Sequence, residues 1–132
     1  MTLAEELARR IVSLRFDDLP VEAVAAAKAG LLDTLGVALV GQNEDATRAA
    51  ASLLLADAKH GPSLVFGTRT RASPLAAAFI NGMAANVLDY DDCNASLGGH
   101  PSAPILGAVV ALAEQVDASG REVLAAYIAG VE

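Results

Sequence analysis

Apolar residues recur at helical spacing along most of this chain, and capping signatures stand ahead of several of these runs. Thr2-Leu3-Ala4-Glu5 fits a capping box, in which Thr2 accepts from the Glu5 amide and Glu5 reaches back. Leu3, Leu7, Ile11 and Leu14 follow at helical spacing, so the first helix is amphipathic. Phe16 to Pro20 breaks it, and Pro20 opens a second helix that runs through Leu31, Leu35 and Leu39 to Gly41. The second half of that helix is apolar nearly all round, which predicts a central position. A third helix is expected over 43–57, with Ala50, Leu53 and Leu54 as its buried stripe, ended by Lys59-His60-Gly61-Pro62. Ser63 to Gly67 is the one plausible strand, and Thr68 to Arg71 reads as solvated. Ser73 caps a fourth helix with Pro74 at its first position, and Leu75, Phe79, Met83 and Val87 lie near one face. A fifth helix follows His100-Pro101-Ser102 and reaches about Val116, and Ser119-Gly120-Arg121-Glu122 caps a sixth through Ala129. Six helices and a single strand-like segment predict an all-α bundle, rich in small residues and tightly packed helix on helix.

Composition sharpens this reading. With glycines counted and tyrosines set aside, about 61% of the 132 residues are apolar, against a typical ~45–50%. That excludes disorder. A single domain of this length hides only about two thirds of its extended-chain surface. The chain is therefore expected to meet a partner, a second copy or a missing remainder of its own fold. The net charge of −7 argues against phosphate-driven nucleic-acid binding. The start shows no basic, apolar secretory pattern. The longest uninterrupted apolar run, Ala103 to Ala113, is too short to cross a bilayer. With one cysteine there is neither an internal disulfide nor a cysteine metal cluster. A cytoplasmic protein without membrane or nucleic-acid partners is expected. The end at Glu132, directly after an apolar helical stretch, reads as truncation. The chain is thus either one all-α domain over 1–132 or the N-terminal fragment of a larger helical domain.

Chemistry-bearing groups concentrate between Asn81 and Ser102. Asp89-Tyr90-Asp91-Asp92 places three carboxylates within four residues, suited to a hard cation, to acid–base work, or to capping backbone amides at a helix end. His100 follows Gly98-Gly99 and precedes Pro101, where it suits either proton transfer near neutral pH or a structural hydrogen bond. Cys93 reads as a nucleophile or as a small buried hydrophobe. His60 reads as a surface charge at a helix end. No phosphate-binding glycine loop and no basic patch occur.

These residues resemble a known family. Leu31-Leu32-Asp33-Thr34-Leu35-Gly36-Val37-Ala38-Leu39 resembles a helix of the MmgE/PrpD family, whose members include 2-methylcitrate dehydratase. Asn81-Gly82-Met83-Ala84-Ala85 with Leu88-Asp89-Tyr90-Asp91-Asp92, and Gly99-His100-Pro101-Ser102-Ala103 with Ala111-Leu112-Ala113-Glu114, resemble two further segments. Arg71 to Pro74 and Ala126 to Glu132 also fit, so the likeness runs over nearly the whole chain. It implies the N-terminal part of a large all-α domain that carries a smaller α/β lid, in a homodimer. It implies proton transfer beside a carboxylate on a small polycarboxylate, without cofactor or metal: dehydration of 2-methylcitrate first, with decarboxylation or epimerisation of a related acid as alternatives. A non-catalytic helical or dimerisation module is the remaining reading. The resemblance assigns catalysis to His100 and Asp89, substrate contact to Cys93, Asn86 and Ser102, and a bracing role to Asp91 and Asp92. The family commonly has His where this chain has Asn86, and Thr where it has Cys93. An amide cannot shuttle a proton at neutral pH. Further family His and Lys residues fall beyond Glu132, so the chain alone is expected to be inactive.

Overall fold

The computed structural model describes residues 1–56, 60–96 and 98–132. Six α-helices account for most of them: α1 Leu3–Ser13, α2 Val21–Gly41, α3 Asp45–Leu55, α4 Pro74–Asn86, α5 Ser102–Val116 and α6 Gly120–Val131. The chain is all-α, as its periodicity predicts. Both capping boxes form: Thr2 with Glu5 and Ser119 with Glu122. Ser73 accepts from the Ala76 amide, with Pro74 in the first turn of α4. A 3-10 turn at Phe16–Asp18 separates α1 from α2. The strand-like segment is shorter than expected and has a partner. β1 (Ser63–Leu64) pairs antiparallel with β2 (Arg71–Ala72), Ser63 opposite Ala72.

Helices α2, α4 and α5 form the centre. Their axes approach closely because the facing residues are small. A Cβ on Gly107 of α5 would stand 2.6 Å from the Ala78 carbonyl oxygen and 2.9 Å from the Gly82 nitrogen of α4. A Cβ on Gly41 would lie only 2.0 Å from the Ala84 carbonyl oxygen. The core is accordingly built from Ala38, Ala84, Ala85 and Ala103 with Phe66 and Leu106, continued by Val65, Ala77, Ile80 and Ala111.

The β hairpin is pinned to this centre by polar contacts. The Asn81 side chain takes the Phe66 amide at 2.9 Å and donates to the Leu64 carbonyl at 2.9 Å. Ser63 Oγ donates to the Ala111 carbonyl at 2.6 Å, and the Leu64 amide donates to Glu114 at 2.7 Å. Asn81 is therefore a structural bracket, since both ends of its amide are used inside the fold.

Two packing expectations change. Leu53 is 78% exposed and Leu54 lies at the surface; α3 instead turns Thr47, Ala50, Ala51 and Leu55 inward. Both phases satisfy helical spacing, and the small Thr47 and Ala51 permit the closer approach. The second half of α2 is not covered all round: Leu32, Leu35 and Leu39 are exposed while Thr34 and Ala38 are buried. Finally, the expected end of α3 at Asp57 and Lys59 lies outside the described residues. By length and composition α2 could cross a membrane; in this fold one side of it packs on α4, α5 and α6.

Candidate active site

Helix α4 ends at Asn86, and the backbone turns back at once. The Asp89 amide donates to the Asn86 carbonyl at 2.9 Å, and Asp89 takes a left-handed conformation with φ of 56°. Aspartate tolerates this region better than most residues because its short side chain bonds locally. The turn brings Asp89 and Asp91 back over the end of α4. From Asp92 the chain makes an excursion that closes on itself, the Asn94 amide donating to the Gly99 carbonyl at 2.9 Å, and returns at His100 to start α5.

His100 lands between two carboxylates. Its Nδ1 is 3.2 Å from Asp91 Oδ1, and its Nε2 is 3.4 Å from Asp89 Oδ1. The two acids differ in surroundings. The Asp91 side chain is fully buried, whereas that of Asp89 is 82% exposed. Asn86 Nδ2 donates to both oxygens of Asp91, at 3.4 and 3.3 Å. A buried carboxylate is costly unless paired and hydrogen-bonded, and here an amide and an imidazole face it. His100 Nδ1 is itself buried, close to Asp91 but out of line for a regular hydrogen bond.

Asn86 and His100 are the polar members of the wall of an open groove of about 840 Å³. Its other walls are apolar: Leu75, Phe79, Met83 and Val87 from α4 and its end, with Pro104 from α5. The apolar face read in the sequence of α4 is thus a groove wall as well as a packing surface, and Phe79 is 55% exposed along it. No lysine or arginine lines the groove among the described residues.

The sequence-predicted site residues divide. Asp89, Asp91, Asn86 and His100 come together. Asp92 and Ser102 instead bond to each other. The Ser102 amide and hydroxyl donate to Asp92 Oδ1 and Oδ2 at 3.1 and 2.7 Å, and Ser102 is buried. Cys93 is exposed, not a buried hydrophobe, because it stands on the excursion outside the helical core. His60 is exposed and remote from these contacts. Sequence reasoning missed Tyr127 of α6, whose hydroxyl lies 2.5 Å from Ser102 Oγ. A tyrosine buried on an otherwise apolar helix face was the available signal, since its hydroxyl requires a partner.

The donor atoms of Asp89, Asp91 and His100 lie within 4.8 Å of one another, close enough for a metal ion. The imidazole, however, faces the two carboxylates with opposite nitrogens, so an ion held by one nitrogen would have the other carboxylate across the ring. The arrangement fits a proton-transfer group better: a buried acid stands at one nitrogen of the ring and an exposed acid at the other.

Residues 5–132 match the family profile described as MmgE/PrpD N-terminal domain. The chain is 30% identical to a cis-aconitate decarboxylase of Homo sapiens, over 99% of this chain and 28% of that protein. It is 29% identical to a cis-aconitate decarboxylase-like protein, oryM, of Aspergillus oryzae, over 96% of this chain and 28% of that protein. A cis-aconitate decarboxylase of Mus musculus is likewise 29% identical over 99% of this chain. The chain therefore spans 28% of the length of these curated relatives.

Proposed function

We propose, from the premise that this chain belongs to the MmgE/PrpD family as its N-terminal domain, that it supplies the acid–base end of a lyase acting on a small polycarboxylate. One observation carries the reading: the His100 imidazole, held between buried Asp91 and exposed Asp89 beside an open groove. Reactions of this class move a proton at a carbon next to a carboxylate, and a positioned imidazole does so near neutral pH. Asp91 faces Nδ1 with a buried carboxylate. Nε2, toward Asp89, is the nitrogen that exchanges the proton.

Decarboxylation of a cis-aconitate-like acid is the first reading, favoured by what the relatives are called. The bond from carbon to one carboxylate breaks, carbon dioxide leaves, and the electron pair left on carbon takes a proton from Nε2. Dehydration of 2-methylcitrate is the second reading, favoured by the motifs around Asp89 and His100. There Nε2 takes the proton α to a carboxylate, and the hydroxyl leaves with a proton as water. An epimerase would return a proton to the opposite face of the same carbon. In each case the substrate carboxylates need cations. The described groove lining offers none, so we place them on the remainder of the fold or on a second copy.

The test is a substrate panel on the complete polypeptide that carries this domain, with products identified by mass and NMR. A dicarboxylate one carbon shorter marks decarboxylation; an unsaturated tricarboxylate marks dehydration. His100→Ala is expected to cut either rate by about 10²–10⁴-fold. Absence of turnover on every acid tested, or turnover indifferent to His100→Ala, would sink the reading.

A further inference from the structure

We propose that Tyr127 is a positioning residue for His100, acting through Ser102 and Asp92 from the opposite side of the site. The proposal deepens the acid–base reading of His100 and rests on it for its catalytic consequence.

The excursion over 93–99 separates Asp91 from His100 in sequence, yet the two must stay 3.2 Å apart. Their own contact does not secure this, being out of line for a regular hydrogen bond. Outside the Asn94–Gly99 bond, the two ends of the excursion are joined by a clasp one residue beyond Asp91 and two beyond His100. Asp92 takes both the Ser102 amide at 3.1 Å and the Ser102 hydroxyl at 2.7 Å. Asp92 thereby caps α5, whose own cap position, Pro101, has no side chain that can do so. Ser102 cannot rotate away without losing a second bond, because its Oγ also meets the Tyr127 hydroxyl at 2.5 Å.

The phenol is built into place. Tyr127 is 4% exposed, the one buried residue of α6. Its hydroxyl reaches Ser102 past Gly30 of α2, where a Cβ would stand 2.6 Å from the phenol oxygen. A glycine here is what lets the hydroxyl through. The chain Tyr127–Ser102–Asp92 thus ties α6, the start of α5 and the acidic turn into one unit. Asp91 and His100 are carried by its two ends. A buried polar chain of this kind is costly when half satisfied, so each link constrains the next.

Tyr127→Phe removes one oxygen and keeps the ring. The chain contains two histidines, so His60 serves as an internal reference. By NMR, the expected result is that the ring-proton shifts and titration curve of His100 move while those of His60 and the helical circular dichroism do not. In the complete enzyme, kcat is expected to fall about tenfold with KM unchanged, as for a small displacement of a catalytic group. Should the phenylalanine variant lose its helical signal, Ser102→Ala breaks the same contact from the other side and carries the same expectation. Gly30→Ala, which drives a methyl onto the phenol oxygen, is expected to move His100 in turn. A His100 signal unchanged in Tyr127→Phe and Ser102→Ala would overturn the proposal, as would equal changes at His60 and His100. The NMR readout does not depend on turnover. A His100 that responds in an enzyme without lyase activity would therefore uphold the clasp and sink only the proposed function.

Discussion

Asp91 and Asp89 face opposite nitrogens of the same imidazole, and their surroundings separate their roles. Asp91 is buried and held by Asn86, so its carboxylate stays in place beside Nδ1; Asp89 is exposed, so it can follow a substrate. Asp91→Asn keeps the shape and removes the charge, and is expected to lower kcat on the order of tenfold or more in the complete enzyme. Steady-state kinetics checks this, and an unchanged kcat would leave Asp91 a packing residue. Asn86 tests the chain's departure from the family pattern. Because its amide orients Asp91, Asn86→His is expected to retain the donation and the pH profile, whereas Asn86→Ala lowers kcat. A changed profile in the histidine variant would instead give that position a part in proton transfer.

At the scale of elements, glycines divide by what faces them. A Cβ on Gly107 would stand 2.6 Å from the backbone of α4, and a backbone carbonyl cannot swing aside. Gly107→Ala is expected to destabilise the fold by roughly 1–3 kcal/mol, overpacking outweighing the gain in helix propensity. At Gly36 a methyl would have nothing within 4 Å, so Gly36→Ala is expected to stabilise by about 0.5–1 kcal/mol. Chemical denaturation of both variants checks the pair, and matching signs would refute it. The cap of α6 adds a pH dependence. Bonds from the Ser119 amide and hydroxyl hold the Glu122 carboxyl below its ordinary value of 4.5. A carboxyl lowered in the folded state stabilises above its unfolded value, and that contribution is lost as pH falls through the folded one. Glu122→Gln should therefore flatten the acid limb of the stability curve below about pH 4.5 and leave its neutral shape alone. An unaltered acid limb would remove Glu122 from the account.

Across the molecule, several apolar faces lie open among the described residues. Leu3, Leu7 and Ile11 on α1 are 85%, 56% and 47% exposed, and the outer face of α2 and the groove wall of α4 add Leu32 and Leu75. Faces of this kind mark contact surfaces. The isolated chain is therefore expected to self-associate in light scattering. A stable monomer at high concentration would count against a missing partner surface. It is also expected to turn over no polycarboxylate, since the described groove lining brings His100 and Asn86 but no cation. Turnover by the purified chain, lost in His100→Ala, would contradict this.

Most of the elements were legible along the chain, the helices above all, though β2 was not. Capping boxes at Thr2 and Ser119, Pro74 behind Ser73, and helical spacing are local signals, so helix starts were legible within the chain. The sequence by itself also located the acidic turn and His100, because ionisable groups cluster there between apolar runs. Tertiary structure decided which phase of a helix is buried. Leu53 and Thr47 satisfy the same periodicity, and only the neighbour that approaches selects between them. It decided that Asn81 braces the hairpin and that Ser102 serves the clasp, since a side chain's role depends on which atoms of distant segments reach it. And it decided that Asp91 stands at one nitrogen of His100 and Asp89 at the other. Burial and direction arise from packing, and no spacing along the chain encodes them.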